Sequence, residues 1–254
     1  TLVVEVVVLK GDISRMNTVF KFYIQVWILL GICAAVALGW LADRLEQWGG
    51  WSSNIWKTFM WLLVLGSFIY VPLAARGKML DRFVMTMPPG LNGADYMRPA
   101  SYNETGQNFP LKDDYDLIQW LQDHVIGTPV IAEGQSPLYH WGGRISINTG
   151  LPTIIGWDWH QRQQRSVMPG LAVDDRLSDV KTLYQSTNVS TAMAILTFYN
   201  VRYIVVGALE RSYYPSERSS YPSQGLAKFD QMVASGLLRV AYQNEGDTLY
   251  EVIK

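Results

Sequence analysis

The chain has 254 residues, 49% of them hydrophobic, with 21 Lys+Arg against 22 Asp+Glu and 10 Trp. A charged fraction of 17% lies below the roughly 25% usual in a soluble domain. The composition and near-neutral balance exclude a disordered chain, a disulfide scaffold and a polybasic nucleic-acid binder.

The first residues, LVVEVVVL, are apolar and β-branched, and read either as a strand or as the tail of an earlier span. With Thr at position 1 and no leader pattern, the sequence is expected to be the C-terminal piece of a longer membrane protein. KGDISRMNTVFKFY follows, where Arg15, Asn17 and Lys21 make a cationic approach to the first apolar run. Such groups can meet lipid phosphates or a lipid-linked phosphate donor. They are equally the routine interfacial anchors of a membrane helix.

Residues 22–42 carry no formal charge and only Gln25 as a strongly polar group. A helix of that length spans roughly 30 Å, the thickness of a bilayer's hydrocarbon core. Residues 55–75 repeat the pattern, with Lys57 near enough to the start to snorkel and Pro72 near the end. Trp40, Trp48, Trp51 and Trp56 gather around the short connection, as an interfacial aromatic belt would. Two such runs in succession are uncommon in soluble cores. Residues 1–82 are therefore expected to form a transmembrane α-helical hairpin.

Residues 83–112, with Pro88-Pro89-Gly90 and Asn92-Gly93, read as an extended connector. Residues 1–82 carry a net charge of +3 and residues 83–254 a net charge of −4, so the polarity changes at this boundary. From 113 to 254 the pattern is that of a soluble mixed α/β domain. Asp113 to Val125 is predicted helical, with carboxylates at its start and apolar residues at helical spacing. Gly127 stops it and 129–132 follows as a strand. Thr191 to Tyr199 is again helical, Asn200 caps its end, and 201–206 is a buried strand. Residues 237–243 and 248–253, separated by Asn-Glu-Gly-Asp, form a closing hairpin. The single Cys33 lies in the first span, so neither an intrachain disulfide nor a thiolate metal site is available.

The densest polar-aromatic stretch runs from Tyr139 to Arg165, YHWGGRISINTGLPTIIGWDWHQRQQR. Trp157 and Trp159 flank Asp158, and His160 comes next. Indole platforms beside a carboxylate and an imidazole suit sugar recognition, while Arg144, Arg162 and Arg165 offer planar forks for a phosphate or carboxylate. Against this stands a structural role, with the tryptophans packing the domain and the arginines covering its surface. His140 and His160 are not at metal-ligand spacing, and no Walker loop, dinucleotide fingerprint or nucleophile elbow occurs.

DISRMNTVFKFYIQVW, LNGADYM, and GRISINTGLPTIIGWDWHQRQQR followed by NVRYIVVG and ER (Glu210-Arg211) together resemble the Chlor_Arch_YYY family of prokaryotic multi-spanning membrane proteins. The resemblance covers nearly the whole chain, as the C-terminal part of a longer member. The family plan is similar to that of GT-C glycosyltransferases, a helical membrane bundle followed by an extracytoplasmic α/β domain. It implies an enzyme handling a polyprenyl-phosphate-linked sugar, with a divalent metal as the possible cofactor and the catalytic base upstream of Thr1. On that plan the substrate-binding residues are Arg15, Asn17, Lys21, His140, Arg144, Trp157, Asp158, His160 and Arg162. Lipid is the expected partner and nucleic acid is not. The positive-inside count, led by Lys10, Arg15, Lys21, Arg76, Lys78 and Arg82, would instead put both termini in the cytoplasm. The alternative function is a non-catalytic membrane protein whose extracytoplasmic domain binds a partner or polysaccharide.

Overall fold

Residues 6, 15–45, 47–82, 90–104, 106–165, 171–212 and 223–253 are described in a computed structural model of the chain. Residues 2–5 and 7–9 of the opening apolar run, and 83–89 of the expected connector, lie outside the described residues. The chain divides into two units, Thr1–Pro89 and Gly90–Lys254.

In the first unit, α1 spans Arg15–Leu45 and α2 spans Gly50–Arg82. The segments 22–42 and 55–75 lie inside these helices. Leu and Ala are good helix formers, apolar residues cover every face, and no polar face exists to set an amphipathic stripe. Both helices are long and apolar enough to cross a membrane, and none of either apolar window is covered by the rest of the protein. Trp27, Leu30, Trp61 and Phe68 stand exposed. In water that surface would be costly; in hydrocarbon it is the stable arrangement. At 33 residues α2 is about 50 Å long, so its ends reach past the hydrocarbon core or the helix tilts.

The second unit is a mixed α/β domain. A turn of 3-10 helix, Asp95–Met97, leads into the hairpin of β1 (Ser101–Glu104) and β2 (Gln107–Pro110). Residues 90–110, read from sequence as connector, are thus built into this domain. Met97, Phe109 and Leu111 lie in its core. The turn signals there shape a hairpin rather than a tether.

Helix α3 (Lys112–His124) buries Leu117, Ile118 and Leu121, as its periodicity predicts, and Gly127 at φ 81° turns the chain into β3 (Val130–Ala132). Four helices follow: α4 (Arg144–Thr149), α5 (Asp158–Gln164), α6 (Leu171–Gln185) and α7 (Val189–Phe198). Asn188 caps α7 by accepting the Thr191 amide, and Asn200 takes the left-handed conformation, φ 51°, past its end. Strand β4 (Val201–Val206) comes next, then α8 (Ala208–Ser212), α9 (Ser223–Ala234), β5 (Leu238–Gln243) and β6 (Thr248–Val252).

The sheet order is β3-β4-β6-β5. Strand β3 pairs parallel to β4, while β6 pairs antiparallel to both β4 and β5. Val206 at the end of β4 therefore lies opposite Thr248 at the start of β6. The loops after β3 and β4 and the loop before β6 all meet at one edge of the sheet. In open α/β sheets the carboxyl ends of parallel strands are where polar groups can be gathered outside the core.

Candidate functional site

At that edge sits a buried charge network. Arg144, the first residue of α4, has a side chain with no solvent exposure. Its Nε donates to Asp114 at 2.5 Å, and Nη1 and Nη2 donate to the two oxygens of Glu210 at 3.0 Å each. Glu210 also accepts the Gly134 and Gly207 amides, which are the backbone groups just past β3 and β4. Asp114 accepts the Trp141 indole at 2.7 Å. Glu133, directly after β3, accepts the Ile145 and Ser146 amides and so caps α4.

Burial alone would lower the Arg144 pKa, but Asp114 and Glu210 beside it hold it well above the usual value. Burial alone would raise Glu210; the Arg144 charge and its hydrogen bonds bring it below the ordinary carboxylate range. Asp247 goes the other way, raised well above its usual value by burial and by the neighbouring Asp114 charge. A second ionised carboxylate beside Asp114 is unfavourable, which favours the protonated form of Asp247. Gly207 is required here, because a Cβ would overlap the Asp247 carboxylate and the Arg144 guanidinium.

Open to solvent on the same domain is a cleft of about 770 Å³, lined by Thr153, Trp157, His160, Gln161, Arg165 and Arg176 among others. Leu151, Ile154, Ile155 and Val173 form its apolar floor. Tyr139, Trp157 and His160 pack mutually at its rim, with ring centroids 5.2 to 5.5 Å apart. Trp157 is oriented by its indole N–H donating to the Gly142 carbonyl at 3.1 Å. Tyr139 adopts φ 63°, a strained conformation for a bulky residue. Arg176 donates to the Ile154 carbonyl and lies over the Tyr199 ring.

The expected site residues separate into different places. Trp157 and His160 line the cleft together. Arg144 does not: its donors face inward to carboxylates, and no edge of its guanidinium meets solvent. Arg162 is tied to Asp174 through both terminal nitrogens, at 2.6 and 3.1 Å, with Asp158 one turn back at 3.6 Å. That pairing joins α5 to α6 and occupies both side chains. His140 is half-exposed, and its Nδ1 faces the buried carboxylate of Glu104 at 2.9 Å. Arg15, Asn17 and Lys21 lie on the first turns of α1, in the other unit. Among the described residues no group of three or more His, Cys, Asp or Glu is arranged to hold a metal ion.

Sequence reasoning gave no site role to Glu104, Asp114, Glu133, Glu210 or Asp247. Asp114 was read only as a carboxylate at a helix start and Asp247 only as part of a turn, while Glu133 stands directly after an apolar strand.

The profile of a family described as uncharacterized membrane protein (DUF2298) matches residues 1–30. That segment contains the whole string DISRMNTVFKFYIQVW. No curated protein matches the chain. Among solved structures, the C-terminal globular domain of an oligosaccharyltransferase from Archaeoglobus fulgidus is similar at a TM-score of 0.33 and 11% identity. The match covers 55% of this chain and 96% of that domain.

Proposed function

We propose that the chain is part of an integral membrane glycosyltransferase-like protein of the cell membrane that handles a polyprenyl-phosphate-linked sugar. The observation that carries the reading is the cleft, where an indole, an imidazole and two arginines surround an apolar floor. A sugar ring has apolar faces that stack on an indole and hydroxyls that bond to imidazole and amide groups. Arg165 and Arg176 supply cationic donors for the phosphate. The domain carrying the cleft is joined to two helices fit to span a bilayer, which is where a lipid-linked substrate resides. On this reading Arg15, Asn17 and Lys21 face lipid phosphates, and the α/β domain is extracytoplasmic. No step of this reading is routed through the divalent metal of the family plan, since no cluster of three or more His, Cys, Asp or Glu that could hold it occurs among the described residues.

The test is a titration of the full chain in lipid nanodiscs with a polyprenyl-phosphate sugar, read by tryptophan fluorescence. Trp157→Ala and Arg176→Gln should each weaken binding about tenfold, corresponding to roughly 1.4 kcal/mol. Equal affinity in both variants and wild type would remove the cleft from the reading.

A second reading is favoured by Tyr139 and Trp159, which are 70% and 51% exposed. A non-catalytic domain displaying rings in this way binds a polysaccharide or partner. A soluble oligosaccharide binding as well as the lipid-linked sugar would select it.

A further inference from the structure

Glu104 ends β1 at the tip of a hairpin, yet its side chain is only 3% exposed. A carboxylate held out of water needs donors; the Tyr102 hydroxyl supplies one, and both carboxylate oxygens lie 2.9 Å from His140 Nδ1. Among the described residues no hydrogen-bond partner reaches Nε2 of that ring, and the imidazole is 43% exposed. The carboxylate selects the tautomer with the proton on Nδ1. The lone pair is then on Nε2, at the ring edge away from the carboxylate.

The pair is braced on both sides. Tyr102, two residues before Glu104, stacks on Trp141, the residue after His140, at 5.8 Å and 30°. Trp141 is in turn held by Asp114 of the buried network. Ser136 accepts the Gly142 amide at 2.8 Å, closing the loop that carries His140. On the other side, the strained Tyr139 packs its ring against Trp157 and His160. His140 is thus one residue from the rim of the cleft.

From this geometry we infer that Glu104 and His140 form a proton-transfer pair, with His140 Nε2 taking the proton of a hydroxyl-bearing ligand and Glu104 as the positioning residue. A carboxylate that orients an imidazole and stabilises the imidazolium formed on proton uptake is the arrangement required of a general base. The inference goes beyond the proposed function and stands without it. Where that function holds, His140 takes the place of the base that the family resemblance puts upstream of Thr1, and the acceptor hydroxyl gives its proton to Nε2 as its oxygen bonds to the anomeric carbon. The anomeric C–O bond to phosphate breaks, and the electron pair leaves with the polyprenyl phosphate.

The test uses the full chain in detergent micelles and p-nitrophenyl acetate, a probe independent of any sugar. An available imidazole lone pair takes the acetyl group, p-nitrophenolate leaves, and water releases acetate to restore the imidazole. His140→Gln should cut p-nitrophenolate release several-fold more than His124→Gln, whose imidazole bonds the Trp120 carbonyl and has no carboxylate partner among the described residues. Glu104→Gln should lower the rate and displace its pH profile, and Glu104→Asp should restore part of both. In the wild-type chain, long-range ¹H–¹⁵N correlations should show His140 protonated on Nδ1 when neutral. Undiminished release from His140→Gln, a Glu104→Gln profile superimposing on wild type, or a proton found on Nε2 would each overturn the inference. Loss of sugar-lipid binding with the esterolysis intact would count against the proposed function alone.

Discussion

Replacing Arg144 with Met leaves the volume of the site nearly filled but removes the cation from between Asp114 and Glu210. All three side chains are at most 5% exposed, so water does not replace the lost partner. Breaking a buried ion pair from one side costs about 3–5 kcal/mol. The same magnitude follows from proton linkage. The stranded carboxyls neutralise rather than stay charged, and protonating one of ordinary pKa costs roughly 4 kcal/mol at pH 7 but only about 1 kcal/mol at pH 5. Against a stability of about 5–15 kcal/mol, the loss at neutral pH is large, and for a domain of this size the melting midpoint should fall by about 10 °C. Thermal unfolding of the full chain in micelles, followed by near-ultraviolet circular dichroism, measures it at both pH values. The deficit should shrink markedly at pH 5, and adding Glu210→Gln should recover part of it at pH 7. A variant melting within about 2 °C of wild type, or an equal deficit at both pH values, would refute the reasoning. The outcome also separates a structural Arg144 from a substrate-binding one, since a binding residue would lose affinity without losing stability.

Asp247 is raised by burial and by Asp114, so the folded state holds a proton that the unfolded chain has released. That contribution is present below the unfolded pKa and is lost as pH rises toward the folded one; Asp247→Asn should therefore stabilise at about pH 8 and change little at about pH 4. Lys228 has the opposite linkage, because burial lowers its ammonium to about 8. The unfolded chain binds the extra proton, so wild type should gain stability between about pH 8 and pH 10, and Lys228→Met should abolish that gain in the same melting series. Gly225 lies where a Cβ would overlap the Tyr184 and Gln185 carbonyl oxygens. Gly225→Ala should lower the denaturant midpoint by the equivalent of about 2 kcal/mol, and an unchanged midpoint would show that the backbones are not so close.

The membrane part was legible because a bilayer imposes a length and a composition on each segment separately. Helix α3 and strands β3, β4, β5 and β6 were legible for a related reason: periodicity, Gly127 and Asn200 act within a few residues of themselves. The hairpin at 101–110 was hidden. Its strands are short and mostly polar, and Tyr102, Phe109 and the buried Glu104 tie it inward through partners distant in sequence.

The site was legible in part. Trp157 and His160 were found from their neighbours in the chain, and their rings do meet at the cleft. Arg144 looked from its sequence neighbours like a surface fork for an anion. Its anions are Asp114 and Glu210, 30 and 66 residues away.

By itself, then, the sequence determined where hydrocarbon replaces water and where helix and strand alternate, since both follow from short-range pattern. Tertiary structure alone decided which charges are buried together. An ion pair's worth depends on the dielectric around it and on partners brought within 3 Å, and only the pairing of β4 with β3 and β6 brings those distant residues to one edge.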